Sequence, residues 1–238
     1  MFSKLSILMP CYNEATFITT AIQRVLDVKL DSLQKEIIVV DDASTDNSLQ
    51  IINDFLLNKS LPVIVLHNES NSGKGACITK ALQHVTGEIV VIQDADLEYD
   101  PADYPKMLRP ILDGYADVVY GSRFMGEGPH RVLFYFHTIG NKFLTFLSNL
   151  FTQVNLTDME TGYKMFRTDI LRQIRIREKR FGVEPEITAK ISRVKGVRIY
   201  EAGISYYGRT YEQGKKIKWT DGFYAIWCIL KYNTFWRK

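Results

Sequence analysis

Four short apolar runs, LSILMP (5–10), EIIVVDD (36–42), PVIVLHN (62–68) and EIVVIQD (88–94), are each followed by apolar residues at helical spacing, over 15–28, 45–58, 74–86 and 101–113. A fifth run, ADVVYGS (116–122), closes the series. Strands that are apolar on both faces have to be covered on both faces, and alternation with helices does this through βαβ units. Right-handed crossovers then predict an α/β protein with a doubly wound, mostly parallel sheet flanked by helices. Such sheets bind ligands beyond the carboxyl ends of their strands. The polar clusters fall there: CYNE, DDASTDNS, NESNSGKG, DADLEYD and GSRFMGEGPHR follow the five runs in order.

The second half is less regular. Its periodicity predicts helices over 133–153, 168–176, 184–194 and 220–233, with short strands VRIYEA (197–202) and ISYYG (204–208). No repeat, low-complexity tract or linker interrupts the chain, so residues 1–238 read as a single domain with a C-terminal amphipathic helical elaboration.

Composition narrows the partners. A formal net charge of +3 is too small to argue for nucleic acid. The late basic residues in GRTYEQGKKIK (208–218) suit an anionic ligand or an anionic membrane surface. Three widely spaced cysteines give neither a zinc motif nor a disulfide framework, which fits a reducing, cytoplasmic compartment. No stretch offers the roughly 20 apolar residues of a membrane span. The nearest, 132–151, is broken by His137, Asn141 and Lys142 and reads as an interfacial segment. Its apolar surface would comprise Phe134, Phe136, Ile139, Phe143, Leu147, Leu150 and Phe151.

In DADLEYD, side chains two apart share a face of an extended chain, so Asp94 and Asp96 can present oxygens to one hard cation, Mg2+ or Mn2+, with Glu98 as a further ligand. Mg2+ is usually held by one or two carboxylates plus substrate phosphates. Asp100, before Pro101, reads as a helix cap. In DDASTDNS, Ser44 or Thr45 reads as a cap, which leaves Asp42 to accept from a base or a ribose. In PCYNE, Asn13 reads as a cap, Tyr12 as a stacking surface and Glu14 as a ribose ligand. NSGKGAC lacks the phosphate-loop pattern and follows the wrong strand, so it reads as a glycine turn into a helix. Arg123, Arg209 and Lys215 are cations that a pyrophosphate could draw together.

The set PCYNE, VVDDASTDNS, NSGKG, QDADLEYDP and GSRF resembles family-two glycosyltransferases of the GT-A fold. LTDMETGYKMFR (156–167), with Arg209 and Lys215, is similar to the polyprenyl-phosphate sugar transferases typified by dolichol-phosphate mannose synthase. The resemblance implies inverting, metal-dependent hexosyl transfer from a nucleotide diphosphate sugar to a polyprenyl phosphate. Residues 1–125 would hold the donor, and 126–238 the acceptor and a peripheral membrane contact at the cytoplasmic face. It implies nucleoside contacts from Pro10, Tyr12, Glu14, Val40 and Asp42, and diphosphate and metal contacts from Asp94, Ala95 and Asp96. Phosphate contacts would come from Arg123, Arg131, Arg209 and Lys215. A phosphate acceptor needs positioning and no strong base. A hydroxyl acceptor, the alternative, would need Asp158 or Glu160 as base. A non-catalytic nucleotide-sugar binder is the reading from another class.

Overall fold

The computed structural model describes residues 2–31, 33–126, 135–209 and 219–235, the side chains of Phe136 and Trp219 excepted. Four parallel strands form first: β1 (Lys4–Cys11), β2 (Gln34–Asp41), β3 (Val63–His67) and β4 (Ile89–Ile92). They are linked by α1 (Ile18–Asp27), α2 (Ser48–Leu56) and α3 (Lys74–Leu82). Helix α1 shows why these segments coil: Ile18, Ala21, Ile22 and Val25 fall on one face, and all four are buried. A short 3-10 turn, Pro101–Asp103, leads into α4 (Tyr104–Leu112), and β5 (Val118–Ser122) follows. Asp100 caps that turn as expected, its side chain accepting from Ala102 N at 3.0 Å with Pro101 at the first position.

The remaining elements are α5 (Tyr135–Thr152), β6 (Lys164–Arg167), α6 (Thr168–Leu171), α7 (Val183–Ile191), β7 (Ile199–Gly203) and α8 (Trp219–Leu230), with a π turn over Lys231–Phe235. The strand order is β3-β2-β1-β4-β6-β5-β7. Strand β6 runs antiparallel to both neighbours, so six strands share one direction and one opposes them. The four residues of β6 carry Lys164 in their first position, and so short a polar-headed run gives no strand signal.

Four expectations change. ISYYG forms no strand: only Tyr206 pairs, in an isolated bridge to Tyr99. The helix expected over 168–176 is the single turn α6. Asn13 does not cap α1, which starts five residues later without a side-chain cap; instead Asn13 Oδ1 accepts from Thr45 N at 2.8 Å and ties the first rim loop to the second. Neither Ser44 nor Thr45 caps α2: Ser44 Oγ accepts from Asn13 N, and Asp46 Oδ1 accepts from Ser48 N at 2.9 Å.

Two apolar layers flank the sheet. One packs α1 and α4 beneath Ile7, Met9, Ile37 and Val91; the other packs α3, α5, α7 and α8 against Leu8, Ile38, Val90 and Phe166. The outer face of α5 is different. Tyr135, Ile139, Phe143, Phe146 and Leu150 lie three and four apart and are 46% to 73% exposed. Phe151 is exposed as well, whereas Leu147 turns into the core, and Phe134 lies outside the described residues. Helix α8 packs beside α5 and exposes Phe223, Tyr224 and Trp227. No described helix is long and apolar enough to cross a membrane.

Candidate active site

Strand order reverses between β1 and β4, and a parallel sheet opens a crevice at such a point. A pocket of about 710 Å³ lies there, within the range of small-molecule sites. Its walls include Pro10, Tyr12 and Glu14 after β1, Asp42 after β2, and Asp94, Ala95, Asp96 and Glu98 after β4. Arg123, Glu160 and Arg209 complete the expected set. Val40 and Asp158 are wholly buried and do not line it, while Arg131 and Lys215 lie outside the described residues.

At one end, Asp42 is held in place by the loop opposite. Its carboxylate accepts from Asn68 Nδ2 at 2.7 Å, Ser72 N at 2.9 Å and Gly73 N at 2.6 Å. Gly73 has φ +94°, a conformation that suits glycine and aims those amides at Asp42. Asp41, its neighbour, accepts from Ser44 N and pairs with His67 at 2.9 Å.

The acidic loop after β4 is a turn and not an extended strand, since β4 stops at Ile92 and Leu97 takes φ 62°. Non-glycine residues at positive φ are uncommon, and three rim loops carry one each: Asn13, Ala43 and Leu97. A tyrosine stack supports the loop, with the Tyr99 and Tyr163 rings 4.7 Å apart and Tyr206 at 5.3 Å from Tyr99. Tyr99 Oη accepts from Gly162 N at 2.8 Å, and Tyr104 and Tyr163 both donate to Gln93.

The three acids have different partners. Lys74 Nζ lies 2.9 Å from Asp94 and 3.1 Å from Glu184. Arg209 reaches Asp96 at 2.9 Å and Glu14 at 3.1 Å. Glu98, also on the pocket wall, accepts from Tyr206 Oη at 2.8 Å and Arg209 N at 2.7 Å. Among the described residues no three or more acids, histidines or cysteines gather as a metal cluster. Asp94 and Asp96 nonetheless fit a hard divalent ion completed by substrate phosphates. Both supply carboxylate oxygens to the pocket, their side chains 23% and 18% exposed. Burial, and then the carboxylates of Asp94 and Glu98, push Asp96 up to about 7 against the pull of Arg209. A cation would relieve that crowding.

Beneath the loop lies a set of buried charges that sequence reasoning missed. Glu184, on the first turn of α7, pairs with Lys164 of β6 as well as Lys74. Burial alone would raise Glu184; the two ammonium groups, Lys164 first, outweigh it and hold the carboxyl below its ordinary value. Burial likewise opposes the charge on Lys74, but Asp94 and Glu184 hold it above the usual ammonium range. Gly162 is wedged here, because a Cβ would come within 2.5 Å of Asp94 Oδ2.

The two expected bases separate. Asp158 is saturated by Arg123, which donates from Nε and Nη2 at 2.7 Å each and from its backbone N at 3.1 Å. Glu160 faces the pocket with a buried Oε1 that has no hydrogen-bond partner. Burial, and then the Glu184 carboxylate, push Glu160 up to about 7. Arg180 and Phe181, between α6 and α7, also line the pocket and were not foreseen. In REKRFG they look like ordinary surface residues.

Residues 6–175 match the family described as Glycosyl transferase family 2. The dolichol-phosphate mannosyltransferase of Pyrococcus furiosus is 25% identical over 217 residues, 90% of this chain and 60% of that protein. The dodecaprenyl-phosphate galacturonate synthase of Rhizobium johnstonii is 24% identical over 213 residues, 89% of this chain and 61% of that protein. The chain thus spans about three fifths of the length of these two relatives. Among solved structures, glucosyl-3-phosphoglycerate synthase of Mycobacterium tuberculosis, in complex with Mn2+ and uridine diphosphate, superposes with a TM-score of 0.73 at 18% identity. That alignment covers 98% of this chain and 80% of the other, and it shows a shared GT-A fold. With residues 6–175, more than two thirds of its length, matched by the family, the chain belongs to glycosyl transferase family 2 and is a glycosyltransferase.

Proposed function

We propose that the protein transfers a hexosyl group, with inversion, from a nucleotide diphosphate sugar to a polyprenyl phosphate at a membrane surface. The observation that carries the reading is that Tyr12, Asp42, Asp94, Asp96, Arg123 and Arg209 line one pocket together with Glu184 of α7, which packs against α5 and α8, the helices with exposed aromatic residues. The names of the Pyrococcus and Rhizobium relatives support a polyprenyl-phosphate acceptor.

Tyr12 offers a ring to the base, and Glu14 offers a carboxylate to the ribose once Arg209 leaves it. A divalent ion held by Asp94 and Asp96 would set positive charge against the leaving diphosphate. Arg209 pairs with Asp96 and Glu14 and is placed to exchange them for the donor phosphates. The sugar C1–O bond to the diphosphate breaks with its electron pair, and an acceptor phosphate oxygen forms the new C1–O bond from the opposite face. That oxygen is already anionic near neutral pH, so no base is required. The exposed faces of α5 and α8 mix Phe, Tyr and Trp, a composition suited to an interfacial contact.

A transferase acting on a hydroxyl acceptor is the second reading, favoured by one observation: Glu160 lines the pocket with a buried Oε1 that has no hydrogen-bond partner, and could take a proton. Incubation of the full chain with labelled nucleotide sugars, Mg2+ or Mn2+ and a polyprenyl phosphate separates the two. Label in the lipid phase is the expected result; label confined to water-soluble product overturns the lipid reading. A thermal-shift screen of nucleoside diphosphates with Mn2+ would identify the base.

A further inference from the structure

Among the described residues, four cations line the pocket: Lys74, Arg123, Arg180 and Arg209. Three are already claimed by carboxylates: Lys74 by Asp94 and Glu184, Arg123 by Asp158, and Arg209 by Glu14 and Asp96. Arg180 is exposed, and its guanidinium has neither an ion pair nor a hydrogen bond among the described residues. A guanidinium open to a binding pocket with no internal anion is complementary to an anion brought by a ligand.

The backbone beside Arg180 is anchored on both sides. On one side, the backbone of 178–180 presses on the glycine turn that opens α3. Ala76 N donates to Lys179 O at 3.2 Å, a Cβ at Gly73 would meet that oxygen at 2.5 Å, and one at Gly75 would collide with Glu178 O. On the other side, the Glu178 carboxylate accepts from Tyr224 Oη at 2.6 Å and from Lys231 Nζ and Tyr232 Oη at 2.7 Å each. Arg180 is therefore spliced between the donor turn and the helix that displays Phe223, Tyr224 and Trp227. Phe181 is 38% exposed, and Gly182 lies so close to Tyr224 that a Cβ would meet its ring at 2.9 Å. An apolar surface therefore begins beside the guanidinium and continues outward onto α8.

We infer that Arg180 and Phe181 form the acceptor end of the site, Arg180 receiving a phosphate monoester and Phe181 the first part of an attached apolar chain. The inference rests on the proposed transfer to a phosphate acceptor and adds the residues that recognise it. Two sources share this chemistry, a prenyl phosphate in a lipid phase and a small water-soluble phosphorylated acceptor.

The test compares the full-length wild type with Arg180→Gln, Arg180→Lys and Lys179→Gln. Detergent-dispersed polyprenyl phosphate, farnesyl phosphate and 3-phosphoglycerate are the acceptors, with saturating nucleotide sugar. Loss of one charged hydrogen-bonding group predicts an acceptor KM raised about tenfold or more in Arg180→Gln. Partial recovery is expected in Arg180→Lys, with donor KM unchanged and Lys179→Gln like wild type. The same ranking on 3-phosphoglycerate alone would keep the phosphate site and overturn the lipid reading. If no acceptor is glycosylated, titration of farnesyl phosphate into the protein with nucleoside diphosphate and Mn2+ gives a separate readout. Equal binding or equal acceptor KM in wild type and Arg180→Gln overturns the inference.

Discussion

The two ends of the pocket are built differently. At the end proposed for the nucleoside, Asp42 is gripped by an asparagine amide and two backbone amides, Asp94 is matched by Lys74, and Arg209 spans Glu14 and Asp96. Toward α7, Glu160 has a buried oxygen with no partner, and Arg180 has no carboxylate among the described residues. The first end is held in shape before any ligand arrives, and a donor there exchanges contacts with groups already in register. Buried atoms without a hydrogen-bond partner occur at both ends, Arg209 Nε at the first and Glu160 Oε1 at the second, whereas the exposed Arg180 stays hydrated until a ligand anion replaces that water.

Four substitutions probe that contrast. Asp96→Asn should break the donor end most severely: losing an oxygen ligand and its charge predicts a fall in kcat of about a thousandfold, and wild-type turnover in a steady-state assay would remove Asp96 from the chemistry. Lys164→Met leaves the buried Glu184 carboxylate with Lys74 alone. It should cost about 3–5 kcal/mol in urea unfolding, and adding Glu184→Gln should recover part of the loss.

Glu160→Gln sharpens the other end through pH. Folding raises this carboxyl from 4.5 to about 7, so the folded state favours the protonated form. Its stabilising share is complete below the unfolded value and is lost as pH rises through the folded one, by up to about 3 kcal/mol. The variant should therefore gain on wild type between about pH 5 and about pH 8, and parallel unfolding curves would show that the carboxyl is not raised. Asp100→Ala is the smallest change. It removes a cap worth about 1 kcal/mol and should lower the Tm with turnover intact, although only three residues separate it from Asp96.

Much of the donor end could be read from sequence because its residues sit where regular strands stop. An apolar run that ends in acids marks a strand end, and strand ends of a parallel sheet share a rim. Asp42, Asp94 and Asp96 came from that logic, and Asp100 from capping rules. The floor of the site was hidden for the same physical reason that hides any buried ion pair: Lys74, Lys164 and Glu184 look like solvated charges until the fold brings them together. Helix α7 conceals more, since Glu184 and Glu186 are both buried in it and no polar face marks its outside. Arg180 carries no local signal. Its meaning depends on the other three cations having partners, which only the structure shows.

Strand β6 bears on how the protein is made. It is synthesised after β5 yet lies between β4 and β5, with Gly162 and Tyr163 of the donor site immediately before it. A nascent chain that has emerged through β5 carries the first four strands already in order, but β4 and β5 have no shared neighbour to pair with. Their unpaired backbone edges are then open to other chains until residue 167 arrives. Insertion of β6 and the placing of Gly162 against Asp94 are therefore one late event in synthesis, with β7 and Arg209 later still, and a chain cut after β5 would be expected to aggregate.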